Sequence, residues 1–279
     1  PIESAFDKNF YDPVLKGFKI AAQNGKNVVI DVTAFFGANE KAISPIKTDN
    51  PLSKLLGGAN SLKGTFVPDA SGIVSSKCFP ENIEIKSRLS FTLTPLGQPY
   101  SVIMHRSLFA LPDDPMPMRL QDNRVGFFYS DKSIYTSEQD RLIRRTFIHR
   151  WRLEPKKEDL DKYFQGELVE PQKPIVFYVD SAFPEKWRTA IHQGIEDWNT
   201  AFETAGFKNA IKAVDYPKND PDFDPDDMRY SCVKYAATTI ANAMGPSFVD
   251  PRSGEILSAT ICIPHNVTSR IRTDLFVAL

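Results

Sequence analysis

At 279 residues the chain is long enough for two domains of ordinary size, and 42% apolar with 25% charged residues excludes a disordered or fibrous protein. A formal net charge of −1 excludes a global pull toward nucleic acid or an anionic membrane, and no run of 18 apolar residues exists to span a bilayer. Cys78, Cys232 and Cys262 form an odd set without CxxC spacing, which argues against a disulfide scaffold and against a cysteine zinc site.

The first 160 residues read as a β-rich domain. Val28, Ile30 and Val32 alternate with Val29, Asp31 and Thr33, which predicts a strand over 27–36. Residues 53–62, with Leu55, Leu56, Gly57 and Gly58, read as a short helix or loop. Two further strands are predicted over 83–93 and 100–109, joined across Pro95 to Pro99 as a hairpin. Pro112, Pro115 and Pro117 exclude a regular element over 111–117, because each fixes φ and removes a donor. Alternation returns over 146–153, with Phe147, Trp151 and Leu153 on one side and Arg150 and Arg152 on the other. The charged, proline-flanked stretch 154–173 reads as the domain boundary, with a linker at 161–173 and a second domain over 174–279.

In that second domain Ile175, Val176, Phe177, Tyr178 and Val179 make a buried strand. Pro184 opens one long helix whose apolar stripe is Trp187, Ile191, Ile195, Trp198 and Phe202, and Gly206 ends it in the left-handed conformation. Strands follow over 210–216 and 229–236, the first by a parallel crossover. The turn Asp250-Pro251-Arg252-Ser253-Gly254-Glu255 then leads into an outgoing strand, with Gly254 supplying a positive φ. The fold class is therefore α+β: a β-rich N-terminal domain, then a mixed sheet with one long helix.

Chemistry-bearing clusters are few. Asp220, Asp222, Asp224, Asp226 and Asp227 suggest calcium, but Pro225 and Ser231 stand where an EF-hand loop requires Gly and Glu. A solvated Pro/Asp loop is the preferred reading, an irregular calcium site the alternative. Arg141, Arg144, Arg145, Arg150, Arg152, Lys156 and Lys157 interleave with Phe147 and Trp151, a pattern that suits RNA or an acidic glycan. With a near-neutral chain they read instead as partners of carboxylates in the same domain, so no nucleic-acid partner is expected.

Several blocks carry a family resemblance. They are Pro184-Glu185-Lys186-Trp187-Arg188, Gly194-Ile195-Glu196-Asp197-Trp198-Asn199, Asp224-Pro225-Asp226-Asp227-Met228-Arg229-Tyr230-Ser231 and Asn242-Ala243-Met244-Gly245-Pro246-Ser247. Together with the Asp250 to Ile261 hairpin they resemble bacterial zinc-dependent metalloproteases with a met-zincin domain, best known from the Bacteroidetes. Upstream, Pro115-Met116-Pro117-Met118-Arg119-Leu120 and Ile148-His149-Arg150-Trp151-Arg152-Leu153-Glu154 resemble the uncharacterised domain that precedes that protease domain.

The resemblance implies the N-terminal half of a metzincin-like α/β domain in an exported zinc metallopeptidase, periplasmic or on the cell surface. It also implies an edge strand over 255–263 that pairs with an extended peptide or protein substrate, with Ser258, Ala259, Thr260 and Ile261 facing it. The family's zinc site needs two His four residues apart with a Glu between them, and a third His beyond. His105, His149, His192 and His265 are too scattered to make it. The chain therefore reads as cut before the catalytic helix, with no catalytic and no metal-binding residue of its own, and with zinc a cofactor of the full-length enzyme. This fragment is expected to be inactive. The sheet face beside Ile175, Phe177 and Ile261 is expected to be apolar and either exposed or covered by a partner chain. The alternative is a non-catalytic protein- or glycan-binding module on a protease-like fold.

Overall fold

The computed structural model of the chain describes residues 14–40, 44, 63–238 and 240–278. It divides into two compact units, Pro1–Phe109 and Ala110–Leu279. The element expected at 53–62 lies outside the described residues.

In the first unit β1 (Ile20–Asn24) and β2 (Asn27–Ile30) form an antiparallel hairpin, followed by the short helix α1 (Thr33–Gly37). The strand expected over 27–36 thus stops at Ile30. Asp31 Oδ1 accepts the Thr33 N–H at 2.9 Å, and this local turn starts the helix that buries Phe35 and Phe36. A four-stranded antiparallel sheet follows: β3 (Gly64–Phe66), β4 (Gly72–Cys78), β5 (Asn82–Leu93) and β6 (Gln98–Phe109). β5 pairs with β6 along its whole length, from Asn82↔Phe109 to Leu93↔Gln98, while β4 and β3 share its other edge. Ile85 packs with Phe35 and Phe36, and Phe91 packs against Phe66 at 5.6 Å.

The second unit contains the hairpin β7 (Tyr129–Ile134) and β8 (Ile143–Ile148), then α2 (Leu160–Phe164), β9 (Ile175–Val179), α3 (Glu185–Glu196), α4 (Asn199–Thr204), β10 (Ile211–Asp215), β11 (Ser231–Ala236), β12 (Ser247–Val249), β13 (Ile256–Pro264) and α5 (Val267–Ala278). Five strands make one mixed sheet in the order β10-β9-β11-β13-β12. The first four are mutually parallel and β12 runs antiparallel to β13. The core is Ile175, Phe177, Val179, Phe183, Ile211, Ala213, Val233 and Ala259, with Trp187, Ile191, Ile195 and Phe202 laid against it from the helices.

Three expectations need correction here. The single helix expected from Pro184 to Gly206 is two, broken at Asp197 and Trp198. The Trp198 and Thr200 amides bond three residues back, to Ile195 and Asp197, and this tighter turn shifts the stripe out of phase. Asn199 holds the break by bonding both backbone groups of Ile211, at 2.9 and 3.1 Å, and Trp198 is left 63% exposed. Gly206 does end α4 at φ +90°, where a Cβ would meet the Tyr163 ring at 2.7 Å.

The second correction concerns the boundary expected at 161–173, which falls inside the second unit. Val169 is buried and bridges Phe207, Tyr163 packs on Phe207, and Leu153 reaches two clusters of the core. The third concerns the sheet face beside Ile175 and Phe177. It is covered, because Trp151 stands edge-on to Phe177 at 6.0 Å and both strand residues are buried. Exposed apolar side chains are found on α5, at Ile271, Leu275, Phe276 and Val277, and elsewhere in the unit at Phe128, Phe164 and Met244. No helix among the described residues is long and apolar enough to cross a membrane.

Candidate functional site at the sheet edge

The β12–β13 hairpin is built from its turn outward. The Asp250 carboxylate is fully buried and accepts the Arg252 backbone N–H at 2.8 Å, its Nε at 3.1 Å and its Nη2 at 2.8 Å. Charge-assisted bonds of this kind are the strong ones. The same Asp-X-Arg clasp closes two other loops, at Asp122 with Arg124 and at Asp227 with Arg229. Asp250 O accepts the Gly254 N–H at 2.8 Å, and the Asp250 N–H reaches Glu255 O at 2.9 Å. Gly254 adopts φ +80°, as its position in the turn requires, and a Cβ there would lie 2.3 Å from the Ile148 carbonyl oxygen.

That closeness arises because residues 110–156 run against the turn. Arg150 donates its N–H to Gly254 O at 2.9 Å and accepts the Ile256 N–H at 2.8 Å, a parallel bridge to the hairpin. Lys132 Nζ donates to Arg252 O at 2.6 Å while lying 5.3 Å from the Phe147 ring centroid. The Arg252 guanidinium donates to Pro112 O.

The Arg252 guanidinium also holds the Asp250 carboxyl below the ordinary value of 3.8. The sign follows by linkage: the clasp contributes its full stability above pH 3.8 and loses it as pH falls through the lower, folded value. Asp250→Asn is therefore expected to destabilise the protein at pH 5, with the difference from wild type shrinking between pH 4 and 2. Urea midpoints across that range measure it, and a constant difference would refute the assignment.

The expectation that β13 is the sheet edge is overturned by the pairing. On one side Thr260 and Ile261 face Cys232 and Val233 of β11, and on the other Ser258 and Ala259 face Phe248 and Ser247 of β12. Thr260 N–H also reaches Pro246 O at 3.0 Å, and Ala259 N–H reaches Ser231 Oγ at 3.1 Å. Ser258, Ala259, Thr260 and Ile261 therefore have their main-chain positions occupied within the sheet, and Ser258 and Ala259 are buried. The reason is that the incoming arm of the hairpin folds back outside the outgoing one.

The edge is residues 244–249. Met244 exchanges two bonds with Cys262, at 3.1 and 2.7 Å, and Pro246 O takes one from Thr260. By antiparallel alternation the backbone groups of Gly245 and Ser247 point away from β13, and both residues are exposed. An outward row of this kind is a template for another extended chain.

The four histidines lie apart, each with its own partner. His105 Nε2 is 2.6 Å from Glu84 Oε2, a buried carboxylate that also accepts Ser107 Oγ at 2.6 Å. His149 bonds Ser130 Oγ at 2.8 Å, and its burial pushes its pKa down. His192 is 3.1 Å from Asp215. His265 Nδ1 bonds Tyr235 Oη at 2.7 Å, with the Trp187 ring 5.3 Å away. This Trp187, Tyr235 and His265 cluster escaped sequence reasoning, since nothing in the local pattern links positions so distant.

Among the described residues no group of three or more His, Cys, Asp or Glu side chains converges as a metal site. The described residues do not assemble the zinc site that the resemblance implies, and no step is assigned through that metal. In the acidic loop, Asp220 and Asp224 accept the amides of Asp222 and Asp226, while Asp226 also faces Lys234 at 3.5 Å. In the basic cluster Arg144 pairs with Asp131, Arg152 with Asp114 and Glu154 at 3.0 Å each, and Lys156 with Glu170 at 3.4 Å.

A family model described as a domain of unknown function (DUF5117) matches residues 1–156. No curated protein and no solved structure matches the chain. The match ends inside the stretch 154–173 where the composition changes, whereas the second compact unit begins at Ala110. Residues 110–156 thus belong to the matched segment and fold with the five-stranded sheet.

Proposed function

The chain belongs to the DUF5117 family, and from that premise we propose that it forms the peptide-positioning part of an exported, zinc-dependent peptidase of the metzincin kind. The observation that carries the reading is the edge at 244–249, where Gly245 and Ser247 turn their main-chain groups outward. An extended peptide added there gains main-chain hydrogen bonds of the kind that join strands within a sheet. The order strand, two helices, strand, strand, hairpin supports the same reading, as do the sequence blocks that resemble the met-zincin proteases. The substrate-facing role expected of Ser258 to Ile261 passes one strand outward. The described residues of this chain hold the peptide, and hydrolysis is not assigned to them. The extracytoplasmic location is part of the same proposal.

Fluorescein-labelled casein, an unfolded and extended polypeptide, is the probe. Wild-type chain is expected to raise its anisotropy without cleaving it. Ser247→Pro removes one outward N–H at a position where an edge strand tolerates proline, and is expected to weaken binding by about tenfold, the worth of one to two main-chain bonds. Equal binding by wild type and Ser247→Pro would reject the edge as the site.

A further inference from the structure

The support of the edge is asymmetric. β12 has three residues, and its register against β13 shifts between Phe248 and Val249, immediately before the turn. A bulge at that point makes the direction of β12 depend on the orientation of the turn. The turn in its turn rests on residues 110–156 through bonds of three kinds. Arg150 joins it by two backbone bonds, Arg252 reaches Pro112 O, and Lys132 Nζ reaches Arg252 O at 2.6 Å. Of these, Lys132 is a single side chain whose removal leaves every backbone bond in place.

We propose that residues 110–156 are a latch on the hairpin turn, and that Lys132 acts through Arg252 as a positioning residue for the edge at 244–249. The proposal rests on the peptide-binding reading of that edge and adds its regulation: the DUF5117 segment sets whether the edge can accept an extended polypeptide. Lys132 suits the role chemically. Its ammonium donates to the Arg252 carbonyl and stands over the ring of Phe147, which is itself buried. A release of the ammonium frees the turn to rotate about the bulge while the two Arg150 bonds still hold its far side.

The test uses the whole chain and two substitutions, Lys132→Met and Lys132→Arg. Methionine keeps an unbranched apolar side chain of similar length while removing the donor, and arginine restores a donor. The first readout is amide hydrogen exchange at Asp250, Gly254 and Thr260, whose N–H groups bond Glu255 O, Asp250 O and Pro246 O, with Ile175 and Tyr216, which bond Ala210 O and Val179 O, as controls away from the hairpin. Lys132→Met is expected to speed exchange at the first three about tenfold and leave the controls unchanged. Its affinity for fluorescein-labelled casein is expected to fall by a similar factor, and Lys132→Arg to return both to wild type.

Wild-type exchange at Asp250, Gly254 and Thr260 in Lys132→Met would overturn the latch. So would faster exchange with casein binding intact, or a failure of Lys132→Arg to rescue either readout. If the wild-type chain binds no casein, the peptide reading fails, and the exchange pattern alone upholds or overturns the latch.

Discussion

Gly254→Ala is expected to destabilise the second unit by about 3 kcal/mol, the largest effect of any single methyl in the hairpin. A left-handed backbone costs a residue with a Cβ about 1–2 kcal/mol. The added methyl would also fall 2.3 Å from the Ile148 carbonyl oxygen, so the turn and the Arg150 strand must separate and two backbone bonds of about 1 kcal/mol each are strained. Urea unfolding followed through tryptophan fluorescence measures it, since Trp151 and Trp187 both lie on this core. A loss below about 1 kcal/mol would mean that the arm yields easily, and the close packing described here would carry little energy.

Phe147→Ala is expected to cost about 3–5 kcal/mol, the usual range for a fully buried aromatic. Phe147 is 1% exposed, a Cβ on Gly254 would meet its ring at 3.1 Å, and the Lys132 ammonium stands over that ring. The same unfolding measurement applies. Gly254→Ala and Phe147→Ala touch the same contact, so the double variant should cost less than the sum of the two. Full additivity would show that the two residues do not meet.

Much of the second unit was legible because its signals are local. The unbroken apolar run Ile175 to Val179 gives the strand, while the structure alone shows that Ile175, Phe177 and Val179 are its fully buried side. The positive φ of Gly206 and of Gly254 follows from glycine at a helix end and in a tight turn. Proline alone excluded regular structure over 111–117, and the structure has neither helix nor strand there.

What failed to show in the pattern is non-local. Which arm of the hairpin is outermost depends on which strand finds β11, and Ser258 to Ile261 have the same alternation in either arrangement. The helix break is fixed by Asn199 meeting Ile211 across the crossover. The strand expected over 27–36 lost to one short-range bond from Asp31, a competition that hydrophobic alternation does not register. The docking of 110–156 on the turn likewise joins residues far apart in the chain, and composition placed the boundary at 154–173 instead.

The Asp-X-Arg clasps have a consequence for the order in which the chain folds. Each closes a loop with residues two apart, so very little chain entropy is lost before the bond repays it. The parallel pairings of β9 with β11 and of β11 with β13 must instead wait for long loops to close. Turns at Asp227 and Asp250 formed early would deliver β11 and β13 to the sheet already aimed, and the slow search would be left to the crossovers. In Asp250→Ala the folding rate, more than the unfolding rate, is then the quantity that changes.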